Sequence, residues 1–436
     1  MLVRLAEIEL KSFKNVIRGN IKMPSQIKKT EDNADIVGIY GQNGSGKTAV
    51  IDALSFLKLI MTSSPLPDNM SDYITKSEDN ANLNFGFNIE SYEKEYFVQY
   101  RISIGDKQID SESLAIYERA DGKKKRIDYI ECSIDDSDSI FKPKKRWNAF
   151  TSVNKRSRID IEVEKRLCLR DRRSVLFSEE IANIIFSDES LIADAVNALK
   201  KFAALGLFIV HGDEYSTHDS MELVLPKKEA IEKYEISLTE PTVMDCKKYE
   251  KFMSAIGNMN ILMQAIVPGF SVETRELGTE LLRDGEQGMR FELLSRRGDM
   301  LVPIRYESEG IKKLLSIINL LIAMYNNYSV CVVVDEMDAG VFEFLLGELL
   351  SCIEENGKGQ LIFTSHNLRP LEMINREALV FTTTNPSNRY IRIGENHGNL
   401  RSSYLRHILL GGLPEKIYED TNTFEIASAF RRCREK

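Results

Sequence analysis

Residues 41 to 48 read Gly41-Gln42-Asn43-Gly44-Ser45-Gly46-Lys47-Thr48 and decide the fold of the chain. The apolar run 36–40 before them predicts a buried strand, and residues 49–57 after them predict a helix. A glycine-rich loop in this context lets backbone N–H groups surround an anion, and the helix N-terminus adds about half a positive charge. We therefore predict a nucleotide site in which Lys47 contacts the β- and γ-phosphates and the Thr48 hydroxyl binds Mg²⁺.

The composition is that of an ordinary globular protein, with 43% hydrophobic and 28% charged residues. A length of 436 residues allows two or three structural units, or one nucleotide-binding domain that carries an insertion. No run approaches about 18 apolar residues, and the N-terminus alternates apolar with charged residues, so we expect a cytoplasmic protein without a membrane span. The six cysteines form no C-x-x-C pair, which disfavours a zinc or disulfide framework.

Charge is unevenly distributed along the chain. The net charge is −8, yet residues 142–173 contain 12 Lys or Arg against 4 Asp or Glu. This basic stretch includes Lys142, Lys144, Lys145, Arg146, Trp147, Lys155, Arg156, Arg158, Arg172 and Arg173. It could follow a nucleic-acid backbone, or it could be a solvated loop balanced by the acidic residues 135–138 before it.

The middle of the chain shows two kinds of pattern. Period-two alternation over 83–89, 98–104 and 114–116 predicts an antiparallel β-meander. Helical spacing over 178–209 and 246–266 predicts two helices beyond it. No heptad pattern is sustained over three or four repeats, so we expect a compact insertion rather than a coiled-coil arm.

A second chemical motif follows the apolar, β-branched run 330–334, which ends in Asp335 and Glu336. This pattern is typical of a buried parallel strand with functional groups at its carboxyl end. Asp335 would hold Mg²⁺ through water, and Glu336 would act as the general base for the attacking water. The pair alone could be an acidic turn, but a phosphate loop in the same chain favours the functional interpretation.

Two further segments carry polar groups at the ends of predicted elements. Residues 360–367 form a strand that ends near His366, which would bond to the γ-phosphate or the attacking water. A helix over 341–355 separates this strand from Glu336. Ser308, followed by Gly310, would cap an apolar helix whose N-terminus suits a terminal phosphate, although helix capping alone explains these residues.

The order of these motifs resembles that of ABC-type ATPases. The matching segments are Gly41 to Thr48 (Walker A), Ser308-Glu309-Gly310 (signature), Asp335-Glu336 (Walker B), Met337-Asp338 (D-loop) and His366 (H-loop). A narrower resemblance is to the SMC- and RecF-like branch, including the overcoming-lysogenization-defect proteins and AAA-family ATPases of bacterial phage defence, such as Septu-, retron- or PARIS-type subunits. It depends on Asn43, Phe13-Lys14-Asn15, Glu307 to Gly310, Phe363 to Asn367, Tyr404-Leu405 and Gly411 to Pro414.

The resemblance implies an α/β P-loop NTPase fold of ABC-ATPase type, with a mixed central sheet, a flanking antiparallel β-meander and a compact, mainly helical insertion. We expect a discontinuous ATPase head over 1–120 and 290–436, and an inserted lobe over 121–289 that contains the basic stretch. The signature departs from the Leu-Ser-Gly-Gly-Gln consensus. For the Q-loop glutamine, Gln99 and Gln108 are the candidates.

The resemblance also implies that ATP and Mg²⁺ are sandwiched between two heads of a homodimer or higher homo-oligomer. The nucleotide-binding residues would be Gly41, Asn43, Gly44, Ser45, Gly46, Lys47 and Thr48 of one subunit with Ser308, Gly310 and Asp338 of another. The catalytic residues would be Glu336 and His366, and Thr48 and Asp335 would bind the metal.

The function implied is that of an ATP-dependent switch in an anti-phage defence complex, which controls a separate effector, either a nuclease or a toxin. One alternative is a DNA-repair or recombination ATPase of RecF or SMC type that binds DNA through residues 142–173. Another is a nucleotide-binding scaffold with little turnover, against which the intact Glu336 argues. The preference for ATP over GTP stays open.

Overall fold

The computed structural model describes the chain apart from residues 27–32, 92–93, 121–122, 134–139, 145–147, 149–154, 182–190, 213–219, 227–230, 283–284, 395–398 and 435–436. The strands in this described part are β1 (Leu2–Phe13), β2 (Val16–Lys22), β3 (Asp35–Tyr40), β4 (Ala81–Ser91), β5 (Lys94–Ile104), β6 (Ile109–Ala120), β7 (Lys123–Ser133), β8 (Phe141–Lys142), β9 (Leu207–Val210), β10 (Ser220–Pro226), β11 (Ile231–Ser237), β12 (Thr242–Asp245), β13 (Phe270–Leu281), β14 (Gln287–Arg297), β15 (Met300–Pro303), β16 (Cys331–Val334), β17 (Gln360–Thr364), β18 (Leu379–Thr382) and β19 (Tyr390–Ile391). The α-helices there are α1 (Lys47–Met61), α2 (Lys155–Arg170), α3 (Leu191–Lys201), α4 (Cys246–Ile266), α5 (Glu309–Asn326), α6 (Glu343–Asn356), α7 (Pro370–Met373), α8 (Leu400–Leu410) and α9 (Thr423–Arg434).

A six-stranded mixed sheet forms the centre of the fold, in the order β19-β18-β3-β17-β16-β9. From β18 to β9 neighbouring strands run parallel, and β19 is antiparallel to β18. All six residues of β3 are buried, because successive side chains enter hydrophobic cores on opposite faces of the sheet. The continuous apolar runs in the sequence therefore correspond to strands that are covered on both sides.

The predicted β-meander is part of a seven-stranded antiparallel sheet in the order β2-β1-β4-β5-β6-β7-β8. Its apolar face packs with α1 against one face of the central sheet, and this contact forms the largest core. The other face of the central sheet packs on α5, α6 and the C-terminal part of the chain. Helix α1, which begins directly after the phosphate loop, is thus held between two sheets.

A smaller core joins the middle of the chain to the head. It contains α4, the sheet formed by β12 to β15, and side chains from the first half of α5. Strands β10 and β11 form a hairpin that contributes further apolar side chains to this core. Since α5 belongs to the second core as well, this helix links the middle segment to the central sheet.

The expected α/β fold with a mixed central sheet and flanking meander is confirmed. The helix over 246–266 is confirmed, but the helix over 178–209 is wrong at its end: α3 stops at Lys201, a π-helical turn follows, and residues 207–210 form β9. The apolar run Leu207–Val210 continues the helical spacing, so periodicity alone could not reveal the change. Residues 182–190 of that predicted helix lie outside the described part of the chain.

Residues 121–289 contain strands as well as helices. Strands β7 and β8 extend the meander, and β9 adds a parallel edge strand to the central sheet. The alternation of β7 was hidden because its first half is charged, and the consecutive residues Lys124, Lys125 and Arg126 are all exposed. The division into a head (1–120 and 290–436) and an inserted lobe (121–289) stays a prediction, and strands β7, β8 and β9 of the second range belong to the two sheets of the first.

Of the helices described, none is long and apolar enough to cross a membrane.

A buried carboxylate fastens the meander to the chain that follows α2. Glu112 on β6 is 2% exposed. One of its oxygens accepts hydrogen bonds from the Tyr100 and Ser174 hydroxyls at 2.8 and 2.6 Å, and the other from the Val175 and Leu176 backbone N–H groups at 2.6 and 3.1 Å. Burial raises the pKa of Glu112, and these hydrogen bonds oppose that shift.

Replacing Glu112 with alanine should lower the free energy of unfolding by about 3 kcal/mol, because four buried donors lose their acceptor. Chemical denaturation followed by circular dichroism measures this loss. Glu90→Ala, at an exposed position of β4, should change stability by about 0.5 kcal/mol or less. Equal stability of the two variants would contradict the role given to Glu112.

Candidate functional site

The phosphate loop occupies the predicted position between β3 and α1. Gly46 precedes the helix with a φ of 94°, a left-handed conformation that a side chain would disfavour. Ser45 donates to the Gln42 carbonyl at 2.5 Å, and Asn15 donates to the Gly44 carbonyl. Asn43 and Gly44 are exposed at the tip of the loop, whereas Gly41 is buried at its start. Hydrogen bonds therefore hold the loop at Gln42 and Gly44, while its tip is exposed.

Lys47, the first residue of α1, is 7% exposed. Its Nζ donates to the carbonyls of Gly41 and Gln42 at 2.9 and 3.1 Å. Burial lowers the pKa of Lys47, and the charges of Asp335, Glu336 and Asp338 raise it in opposition. Because β3, β17 and β16 are neighbouring parallel strands, the structure brings the phosphate loop and the predicted Walker B carboxylates to one edge of the sheet.

Asp335 and Glu336 follow β16 directly, at the carboxyl edge of the parallel strands. Thr364, the last residue of β17, donates its hydroxyl to the Asp335 carboxylate and accepts from the Glu336 N–H at 2.7 Å. Glu336 has a φ of 49°, which is uncommon for a residue other than glycine and is typical of strained functional positions. Asp335 is buried and fixed, whereas the Glu336 side chain is exposed to an incoming ligand.

A buried lysine that the sequence motifs did not indicate donates hydrogen bonds to the main chain of this turn. Lys313 on α5 is 2% exposed, and its Nζ donates to the main-chain carbonyls of Asp335, at 3.3 Å, and Glu336. Burial lowers its pKa, and the nearby carboxylates oppose the shift. Lys313 therefore ties the N-terminal half of α5 to the carboxylates of the site. The sequence signal was a pair of lysines, Lys312 and Lys313, at the start of a strongly apolar helical run.

The predicted signature residues lie at the exposed start of α5. Ser308 is the N-cap, and its Oγ accepts from the Ile311 N–H at 3.4 Å, so the expected cap is confirmed. Gly310 packs directly against Gly340, and a Cβ at 310 would overlap the Gly340 carbonyl oxygen. The helix start and the loop after Asp338 therefore form one continuous surface.

Asp338 is held within its own chain. One of its carboxylate oxygens accepts from the backbone N–H groups of His366 and Asn367, both at 3.0 Å. The other is buried, and no hydrogen bond to it is present among the described residues. The His366 side chain is exposed beside this contact. The predicted D-loop and H-loop are thus joined to each other directly.

The structure adds residues to the site that no sequence motif indicated. Strand β9 lies beside β16 and ends at Val210, so His211 and Gly212 reach the same sheet edge. A Cβ at Gly212 would lie 3.5 Å from the Glu336 carboxylate, and His211 Nε2 lies 2.8 Å from the Ser55 hydroxyl on α1. The sequence signal was the apolar run 207–210 followed by His211 and Gly212, and it was hidden because the run directly follows a helix.

The two glutamines considered for the Q-loop lie in the antiparallel sheet. Gln99 is in β5, and its side-chain oxygen accepts from Arg101 and Tyr117 at 2.9 and 3.3 Å. Gln108 lies in the turn before β6, where its carbonyl accepts from Gly105. Neither position is at the carboxyl edge of the central sheet.

In the basic stretch, several described side chains have acidic partners. Arg158 pairs with Glu162 and Arg170 with Asp171, and Lys142 lies 3.7 Å from Glu131. Arg172 pairs with Asp68, and Arg173 with Asp171. Residues 145–147 and the side chains of Lys155 and Arg156 lie outside the described residues. The described part of the stretch is therefore partly neutralised, as expected for a solvated basic surface.

The oxygen ligands available suit magnesium. Thr48 offers a half-buried hydroxyl at the start of α1, and Asp335 offers a carboxylate, both of which are hard donors. The Asp335 carboxylate is already oriented by Thr364, as metal-binding carboxylates are in proteins. The donor chemistry thus fits Mg²⁺ next to a polyphosphate held by the loop and Lys47.

A protein-family model matches residues 36–372, which is more than three quarters of the chain. The family is described as "AAA domain, putative AbiEii toxin, Type IV TA system". The chain belongs to this family. The match begins in β3 and ends in α7, so this AAA domain includes the phosphate loop, α5, the two carboxylates and His366. No curated protein matches the chain.

Solved structures similar to this AAA domain include heads of SMC proteins. The SMC head domain from Thermotoga maritima is 14% identical, with 90% of this chain and 100% of that chain covered and a TM-score of 0.38. The Smc head of Pyrococcus furiosus bound to the C-terminal domain of ScpA is 14% identical, covering 93% and 98%, with a TM-score of 0.43. The recombination mediator RecF is 12% identical, covering 84% and 93%, with a TM-score of 0.34.

The close packing of Gly310 makes a stability prediction. Gly310→Ala should lower the free energy of unfolding by about 2 kcal/mol, since the added methyl group must displace the main chain of Gly340. The matched control is Gly257→Ala within α4, where a Cβ meets nothing within 4 Å. The control should be neutral or stabilising by up to about 1 kcal/mol. Thermal unfolding of the two variants and the wild type measures these differences in stability. A Gly310→Ala protein as stable as the wild type would contradict the contact.

Proposed function

We propose that this chain binds ATP with Mg²⁺ and hydrolyses it. The observation that carries this proposal is that the phosphate loop with the buried Lys47 follows β3, while Asp335 and Glu336 follow β16, at the carboxyl edge of the same parallel strands. A lysine with a purely structural role would not require a phosphate loop beside it. A phosphate loop alone would not require carboxylates at the same edge of the sheet. Their combination at one sheet edge suits phosphoryl transfer.

The chain's own residues have distinct tasks in this reaction. The loop N–H groups and Lys47 hold the β- and γ-phosphates, and Thr48 and Asp335 hold the metal, which neutralises charge on the phosphate oxygens when bound. Glu336 accepts a proton from water as the water oxygen bonds to the γ-phosphorus. The bond from that phosphorus to the bridging oxygen of ADP breaks, and inorganic phosphate forms. His366 contacts the γ-phosphate or this water.

A homodimer that sandwiches ATP completes the proposal. Ser308 is exposed, and Gly310 packs on the loop after Asp338 of the same chain. This surface therefore faces outward and can meet the phosphate loop of a second copy. The closed dimer is favoured by contacts to the γ-phosphate, so hydrolysis shifts the population towards the open state.

We further propose that the dimer controls a separate effector, a nuclease or toxin, in a defence system. The family description, which names a toxin and a type IV toxin–antitoxin system, supports this context. The C-terminal helix α9 exposes Phe424, Ile426 and Phe430, with 75%, 46% and 75% of their surface accessible. Ile426 and Phe430, four positions apart, share one face of the helix, and exposed apolar side chains of this kind are typical of a partner surface.

Substituting Glu336 with glutamine should reduce ATP hydrolysis by at least about 100-fold, since the general base is lost, while ATP binding is retained. Phosphate release and fluorescent-nucleotide titration measure the two properties. Glu348→Gln, an exposed glutamate on α6, serves as the matched control and should hydrolyse ATP as the wild type does. Unchanged hydrolysis by Glu336→Gln would remove the catalytic assignment.

The sandwiched dimer makes a complementation prediction. Lys47→Ala and Ser308→Arg should each abolish hydrolysis alone, because one damages the loop and the other the surface that meets it. A mixture of the two proteins should recover activity, since a mixed dimer contains one intact loop opposite one intact Ser308. Light scattering with ATP should show a dimer for Glu336→Gln. A mixture as inactive as its components, with Glu336→Gln monomeric, would contradict the dimer.

A further inference from the structure

A buried arginine outside every predicted motif lies beside the phosphate loop. Arg389 precedes β19 and is 7% exposed. Its guanidinium donates to the main-chain carbonyls of Thr383 and Asn15, both at 2.6 Å. Asn15 in turn donates to the Gly44 carbonyl. Asn15 therefore links Arg389 to the tip of the loop through two hydrogen bonds.

The positive charge of Arg389 has no acidic partner in the described part of the chain. Neutral carbonyls accept its two hydrogen bonds, and its Nε has no hydrogen-bond partner there. Burial lowers the pKa of the guanidinium, and no carboxylate is among the charges that offset this shift. A buried cation is costly unless an anion accompanies it, so this position favours an anionic ligand.

Arg389 lines a cavity of about 290 Å³ between the phosphate loop and the C-terminal part of the chain. The cavity wall includes Asn43, Thr384, Ile417 and Glu419. We name residues 411–420, which join α8 to α9, the C-terminal strap. The size of the cavity and its mixed polar and apolar lining suit a nucleoside.

Direct contacts hold the C-terminal strap against the loop. The Gln42 side chain accepts from the Glu419 N–H at 2.9 Å and donates to the Glu419 carbonyl at 3.4 Å. The Lys416 carbonyl accepts from the Thr384 N–H at 2.7 Å. Ile417 is 3% exposed within the second core. The strap is thus a fixed wall of the cavity.

The strand order fixes the direction of a bound nucleotide. In the central sheet, β3 lies between β17 and β18. Asp335 and Glu336 follow β16, on the β17 side, whereas Thr383 and Thr384 follow β18, on the opposite side. A nucleotide whose γ-phosphate faces Glu336 therefore extends its nucleoside towards the cavity, and its α-phosphate passes nearest Arg389.

We propose that this cavity is the nucleoside subsite, in which Arg389 bonds to the α-phosphate and the C-terminal strap packs against the base. The inference rests on the proposed ATP-binding function and assigns residues to its remote end. It makes the chain after β19 part of the ligand site. A bound nucleotide then directly contacts the segment that leads to the exposed helix α9.

The experiment measures ATP affinity of the full-length chain by calorimetry. Arg389→Gln should weaken binding about 10- to 100-fold, as expected when a charge-assisted hydrogen bond to phosphate is lost. The matched control is Arg392→Gln, since Arg392 donates to the main-chain carbonyls of Glu377 and Lys22 at 2.9 and 2.6 Å and does not line the cavity. The control should bind ATP as the wild type does. In phosphorus NMR of bound ATP, Arg389→Gln should shift the α-phosphate resonance more than the β and γ resonances.

The strap is tested by comparing ATP with inorganic tripolyphosphate, which lacks the nucleoside. Ile417→Ala should weaken ATP binding several-fold and leave tripolyphosphate binding unchanged. Ile393→Ala, at a similarly buried position of the same core that does not line the cavity, should affect neither ligand. An equal loss of both ligands in Ile417→Ala would overturn the strap contact.

The outcomes separate this inference from the proposed function. A wild-type chain that fails to bind ATP would overturn the function and the subsite together. A wild-type chain that binds ATP while Arg389→Gln binds equally well would overturn the subsite alone. Equal weakening by Arg389→Gln and Arg392→Gln would assign Arg389 a structural role and would likewise overturn the α-phosphate contact.

Discussion

The parallel hydrogen bonding of β3, β17 and β16 is the constraint on which the site depends. Because these strands run in one direction, the phosphate loop, the two carboxylates and the H-loop segment all emerge at one edge. Each strand is covered on both faces, so it cannot shift its register without exposing apolar side chains. Chemical groups separated by roughly 300 residues are thereby fixed in one place by main-chain bonds and burial.

Electrostatic balance at this edge is maintained by buried cations. Lys47 donates to main-chain carbonyls of the phosphate loop, and Lys313 donates to those of the carboxylate turn, so neither donates to a carboxylate. The carboxylates are therefore attracted but not neutralised by direct pairing. This arrangement leaves Glu336 free to act on a ligand, while Asp335 is fixed by Thr364.

Much of the head could be predicted from sequence because its signals are local. The phosphate loop, the strand before Asp335 and the cap at Ser308 each depend on residue type and spacing within about ten residues. Lys313, Thr364 and Arg389 could not be predicted, since their roles arise from contacts across 22, 29 and 374 positions. Strand β9 was missed for a related reason: a short apolar run after a helix continues the helical period, and only its partner β16 distinguishes it.

The contact between Gly310 and Gly340 affects how the two sites of the proposed dimer communicate. The loop that carries Gly340 also carries Asp338, which bonds to the H-loop backbone of its own site. The helix that carries Gly310 begins at Ser308, which would face the nucleotide of the other site. Because the two glycines are in contact, a displacement of the helix start at Ser308 would also displace the loop that carries Asp338. In the proposed dimer, the two nucleotide sites would therefore be linked through the main chain of each subunit, without any contact between the two nucleotides.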